Sequence, residues 1–124
     1  MEYIYVIVGG GIGALLRHLS NNLIKSSFNT KFPLWTLFVN CIGALIIGFL
    51  INYFDKYNIN MKFKLLIITG FIGGYTTFSA YSLETVQLFV NGNYKIALLN
   101  IILSNILCIA FVFIGLWINK IIIK

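Results

Sequence analysis

The chain has 124 residues, of which 60% are hydrophobic and 10% charged, with a formal net charge of +6. A soluble domain carries roughly 45–50% apolar and about 25% charged residues, and so few charges cannot clothe the surface of a small compact domain in water. An aromatic content of 16% excludes a disordered chain, which leaves an integral membrane protein as the class.

A helix needs about 20 mainly apolar residues to cross roughly 30 Å of hydrocarbon. Four stretches meet that length, at approximately 3–24, 33–54, 64–89 and 96–119, and together they make residues 1–124 a single all-α, four-helix transmembrane domain. A β-barrel is excluded because runs such as 41–51 do not alternate apolar with polar residues. The first stretch is not expected to be a cleaved signal peptide, since Glu2 stands where positive charge belongs and no small-x-small site follows.

The first span opens Tyr3-Ile-Tyr-Val-Ile-Val-Gly-Gly-Gly-Ile-Gly-Ala-Leu-Leu-Arg17. Its glycines imitate a dinucleotide fingerprint, but such a site needs a strand before the loop and an acid about 20 residues on, and after the glycines no acid occurs before Asp55. Gly9-x-x-x-Gly13 reads instead as a small-residue face that admits a neighbouring helix. Arg17 must face a polar interior or reach the interface. His18 has no second ligand near it, so no metal is expected there.

The second span starts after Pro33, a residue suited to a helix N-terminus. Asn40 lies about two turns in, with Thr36 one turn earlier on the same face. Such an amide glues helices together or lines a path. The third span reads Gly70-Phe-Ile-Gly73-Gly74-Tyr-Thr76-Thr77-Phe78-Ser79-Ala80-Tyr81-Ser82-Leu83-Glu84, a poor helix interior by propensity. We expect a break there, near the bilayer midplane, of the kind that binds ions through freed carbonyls and helix ends. The fourth span carries Asn100, Ser104 and Cys108 at spacing four, a polar stripe with Asn105 just beside it. Cys41 and Cys108 form no C-x-x-C or Cys/His pattern and read as two buried thiols.

The lysines gather at span ends, where they reach headgroups, and form no stripe that would grip nucleic acid. Lys56, Lys62, Lys64, Lys120 and Lys124 fall on one side; Lys25, Lys31 and Lys95 fall on the other, with Arg17 to be added there or not. So slight a bias either still orients the chain or lets it insert both ways round, in which case two copies pair antiparallel.

The polar groups within the spans are hydroxyls and amides at Thr36, Asn40, Thr76, Thr77, Ser79, Ser82, Asn100 and Ser104, with Phe78 and Tyr81 on one helical face. No nucleophile, base and orienting group come together, so no enzyme is expected. O–H and N–H donors, and the positive edges of aromatic rings, suit a small hydrated anion. Without a ring of Lys or Arg, that anion is free to leave again.

The glycine string 9–17, Thr36-Leu-Phe-Val-Asn40-Cys-Ile-Gly43 and the long 70–84 motif together resemble the CrcB/Fluc fluoride channel family, over essentially the whole chain. The resemblance implies a dual-topology antiparallel homodimer in the cell membrane that passively exports fluoride through two pores and relieves fluoride toxicity. Asn40 and Phe78 would be the pore asparagine and first pore phenylalanine, with Ser104 and Thr36 pore hydroxyls. Thr77, Ser79, Tyr81 and Asn100 join them as fluoride-pore candidates. Backbone carbonyls of Gly73 and Thr76, from both copies, would hold a structural sodium ion, and Arg17 and Glu84 match positions the family keeps charged. The chain departs from the pattern at Tyr81 (the second pore phenylalanine), Asn100 (Tyr in some members), Cys108 (Ser in some) and Trp35 (often small). A proton-coupled small multidrug exporter is the alternative, but it needs an acid in the first span, where this chain has Arg17. A membrane subunit without transport is the other.

Overall fold

The structure, a computed structural model, describes residues 1–123 and is all-helical among them. Helix α1 is Tyr3–Ser27 and α2 is Leu34–Lys56. Helix α3 (61–75) is a continuous run of one α turn, Met61–Lys64, a π-helical stretch, Leu65–Ile72, and a closing α turn, Gly73–Tyr75. Helix α4 is Phe78–Val90 and α5 is Tyr94–Ile122. Four stretches are long and apolar enough to cross a membrane: α1, α2, the combined segment Met61–Val90, and α5.

Each of these four segments runs a few residues past the span expected for it. Lys25, Asp55, Lys56, Lys62, Lys64 and Lys120 all lie inside helical turns, because long charged side chains reach water or headgroups without the backbone having to unwind. The third segment differs more from expectation. Gly73 and Gly74 are helical, and the chain leaves the helix only at Thr76 (φ −82°, ψ 158°) and Thr77 (φ −152°, ψ 118°). The π-helical stretch before it has no signature in the sequence, and such stretches concentrate near functional sites.

The distribution of burial is inverted relative to a soluble protein. Thr36, Asn100 and Asn119 are buried, while Ile7, Phe113 and Trp117 are 64% exposed or more. Apolar side chains facing outward and amides facing inward are the arrangement that lipid selects.

Two helix pairs set the frame, and both close through glycine. On α1, Gly9 and Gly13 lie against the α3 backbone, and on α3, Gly70 and Gly74 lie against Val6 and Gly10. A Cβ at Gly9 would fall into the Leu66 carbonyl, and one at Gly13 into that of Phe71. Gly9-x-x-x-Gly13 is therefore a close-approach face, and α3 is the helix it admits. Gly48 of α2 meets the Val112 backbone of α5, and Gly115 of α5 meets Leu45 and Phe49 of α2. Asn119 Nδ2 donates to Phe49 O at 2.8 Å, tying the far ends of α2 and α5. Two parallel pairs, α1 with α3 and α2 with α5, locked at backbone distance, hold α4 and the extended Thr76–Thr77 link ahead of it in a fixed place.

Candidate functional site

The extended link is held by one side chain. Asn40 Nδ2 donates to Thr77 O at 3.0 Å, and Thr77 N donates back to Asn40 Oδ1 at 2.8 Å. A primary amide paired with both backbone groups of one residue in this way replaces the ladder that the helix has given up, and an orphaned backbone N–H or C=O in an apolar interior is costly. The Thr77 hydroxyl then caps α4: its Oγ1 accepts from Ala80 N at 3.2 Å and lies 3.2 Å from Ser79 Oγ.

On the other side of the link, Arg17 Nη1 donates to Thr76 O at 3.1 Å. The Thr76 hydroxyl donates to Ile72 O at 3.0 Å. Arg17 thus reaches inward from α1 to the end of α3, while among the described residues the one ion pair, Lys64 with Asp55, lies at the surface. Next along α1, Ser20 Oγ lies 3.3 Å from the buried Tyr75 hydroxyl. His18 Nε2 is 3.0 Å from Asn22 Nδ2 on its own helix and meets no metal-ligating cluster.

A groove of about 390 Å³ opens beside the link. Its walls come from Asn40, Thr76 and Thr77, from Phe78 and Tyr81 of α4, and from Ser104, Asn105 and Cys108 of α5, over an aliphatic floor. No charged side chain lines it. The Phe78 ring is 76% exposed, its centroid 5.3 Å from that of Tyr81 with the planes at 51°. The Tyr81 hydroxyl accepts from Asn105 Nδ2 at 3.2 Å. In the sequence Asn105 lies just beside the polar stripe, and only the packing of α4 on α5 shows that it shares the groove.

The remaining candidates stand apart from that groove. Asn100 is buried, with Nδ2 donating to Thr85 Oγ1 at 2.9 Å and Oδ1 accepting from Ser104 Oγ at 3.1 Å. Its side chain turns toward α4, because a buried amide in lipid takes the nearest interhelical partner. Thr36 and Trp35 turn toward Glu84: Thr36 Oγ1 donates to Glu84 Oε1 at 2.9 Å and Trp35 Nε1 donates to the same oxygen at 2.6 Å. Glu84 Oε2 is buried with no protein partner. The Trp35 ring also carries Lys25 Nζ 4.7 Å from its centroid. Thr36, Trp35 and Glu84 form a second polar cluster, separate from the groove. Ser79 touches Thr77 but is not on the groove wall.

Gly73, unlike Gly70 and Gly74, packs against no neighbouring helix of its own chain. A Cβ there would meet nothing nearer than Ile68 O at 3.9 Å, so within one chain it is not crowded. Nor are the two cysteines both sequestered: Cys41 is buried, Cys108 is on the groove wall, and their sulfurs lie 3.9 Å apart as free thiols.

Residues 4–116 match the family described as CrcB-like protein, Camphor Resistance (CrcB). A protein of Campylobacter fetus subsp. fetus named fluoride-specific ion channel FluC is 43% identical over 118 residues, covering 94% of this chain and 92% of that one. Proteins of the same name from Hydrogenobaculum sp. and Parabacteroides distasonis are 44% and 41% identical, covering 93% of this chain and 94% and 90% of theirs. The match runs from the first helix into the last and takes in every residue of the groove, and on that ground the chain belongs to the CrcB-like family.

Proposed function

We propose that this protein is a fluoride-selective channel that lets fluoride leave the cell passively across the cell membrane, relieving its toxicity. The observation that carries the reading is the groove: donors and ring edges converge beside an extended link, and no charged side chain lines the wall. A desolvated fluoride needs O–H, N–H and ring-edge contacts in place of water, and the absence of a fixed cation keeps binding weak enough for exit. The names of the relatives point to the same ion.

The groove has one open side, and a second copy is the natural cover. The near-balance of lysines at the two ends favours copies that insert in opposite senses, so the working unit is an antiparallel homodimer with the Thr76–Thr77 links near the midplane. Asn40 fixes the link and presents its amide to the ion, while Phe78 and Tyr81 present ring edges. Ser104 supplies a hydroxyl from α5, with Thr77 and Ser79 at the start of α4. Thr36 with Glu84, and Asn100, shape the route from outside the groove.

A structural sodium fits the same arrangement in kind. Hard cations take oxygen donors, and the Thr76 carbonyl already faces a cation, the Arg17 guanidinium. The carbonyls of Gly73 and Thr76 from two copies would hold the ion, whose charge would fix the paired links in place. The uncrowded Cα of Gly73 leaves room for a second backbone to approach.

The test is fluoride release from vesicles holding the purified protein, followed with a fluoride electrode, for the native chain and Phe78→Ile. The native chain empties its vesicles without a proton gradient, and Phe78→Ile, which has no ring edge, slows release by roughly tenfold or more, as loss of one or two favourable contacts implies. Release that requires a proton gradient would favour the exporter, and no release at all a subunit without transport.

A further inference from the structure

We propose that Cys41 and Cys108 form a two-thiolate binding site for a thiophilic divalent cation in the wall of the groove. The sulfurs lie 3.9 Å apart, well beyond the roughly 2.05 Å of a disulfide. Two metal–sulfur bonds of about 2.3 Å span 3.9 Å at an S–metal–S angle of roughly 115°, close to tetrahedral. The spacing is therefore that of two ligands of one ion.

The frame keeps it so. Cys41 is on α2 and Cys108 on α5, and these helices touch backbone to backbone at Gly48 with Val112, one turn past Cys108. That contact fixes the spacing of the two backbones from which the sulfurs project. Cys108 lines the groove and offers an entry, with Cys41 buried directly behind it.

Charge selects the ion. On binding, each thiol passes its S–H proton to water in the groove, and the sulfur electron pair forms the bond to the metal. A dication with two thiolates sums to zero charge, which an apolar wall tolerates, whereas a monovalent soft cation would leave a buried net negative charge. Soft thiolates favour Zn2+- or Cd2+-like ions over Mg2+ or Ca2+. Water completes the remaining coordination positions from the side of the groove, which Cys108 lines. An anion entering the groove would meet a Lewis-acidic cation there and be held too tightly to pass.

The experiment uses Cd2+ with the full, reduced chain in detergent, following thiolate-to-cadmium charge-transfer absorption together with equilibrium dialysis. One Cd2+ binds per chain, and Cys41→Ser and Cys108→Ser each weaken binding by roughly tenfold or more, since loss of a direct ligand costs at least as much as loss of its supporting partner. Cd2+ also slows alkylation of Cys108 by iodoacetamide in the unaltered chain, a readout that stands if a serine variant does not fold. Absence of the absorption band, serine variants that bind as tightly as the native chain, or alkylation that proceeds unchanged overturns the proposal. In fluoride-loaded vesicles Cd2+ slows release from the native chain. Binding and alkylation do not depend on conduction, so vesicles that never release fluoride would sink the channel reading and leave this one standing.

Discussion

At the scale of single residues, the arrangement turns on amides and carboxyls that stabilise backbone and indole groups rather than one another. Asn40 both donates to and accepts from the Thr77 peptide, so Asn40→Asp loses the donor and sets a carboxyl oxygen against a carbonyl oxygen. We expect fluoride release to fall by roughly tenfold or more, the factor that corresponds to about 1.4 kcal/mol, while the chain remains folded by circular dichroism. Trp35 Nε1 and Glu84 Oε1, at 2.6 Å, form the shortest interhelical contact of the second polar cluster. Trp35→Phe keeps the ring over Lys25 but removes the donor. It should cost about 1–2 kcal/mol in reversible unfolding in detergent, toward the upper end for hydrogen bonds between membrane helices. Unfolding curves that coincide with those of the native chain would show that the bond adds nothing.

At the scale of helices, glycines with different neighbours make a graded test. Gly13→Ala pushes a methyl into the Phe71 carbonyl, and Gly115→Ala pushes one into that of Leu45. Gly11 has nothing within 4 Å of an added Cβ. The first two substitutions should destabilise by about 1–3 kcal/mol, the range for overpacking, and Gly11→Ala should be neutral or stabilising by up to about 1 kcal/mol through helix propensity. Equal effects at all three positions would contradict the close approach of α1 to α3. The sequence displayed this packing in part: the spacing of Gly9 and Gly13 named a contact face without naming its partner. It showed that the third segment must depart from a regular helix, because Gly, Thr and Ser cluster there, without fixing the residue at which it does so. Gly73 and Gly74 stay helical, Gly74 packed against the Gly10 backbone, and the interruption falls at Thr76 and Thr77, where Asn40 takes the Thr77 backbone groups. Nor does hydropathy distinguish Asn100, satisfied by Thr85, from Ser104 on the groove wall. Both lie on one stripe, and only the rotation of α5 against α4 separates them.

For the whole molecule, the short connections alternate the helix ends, so Lys56, Lys62, Lys64 and Lys120 gather at one face and Lys25, Lys31 and Lys95 at the other. If opposite insertion makes the working pair, replacing both Lys31 and Lys95 with Gln leaves Lys25 alone among the lysines of its side and biases every copy toward one sense. Accessibility labelling of a single added surface cysteine from each side of a sealed membrane should then move from both sides toward one, with loss of fluoride release; labelling from one side in the native chain would refute dual topology. Gly73→Ala belongs at this scale too. With room for a methyl inside its own chain, it should leave the unfolding transition of the single chain nearly unchanged and weaken pairing, read as a shift from dimer to monomer on dilution in detergent.

The most direct measurement is the comparison of halides in vesicles carrying the purified native protein. A groove walled by amide, hydroxyl and ring-edge donors, without a fixed cation, predicts rapid loss of fluoride and retention of chloride under the same driving force. Chloride released as readily as fluoride, or neither released, would contradict it.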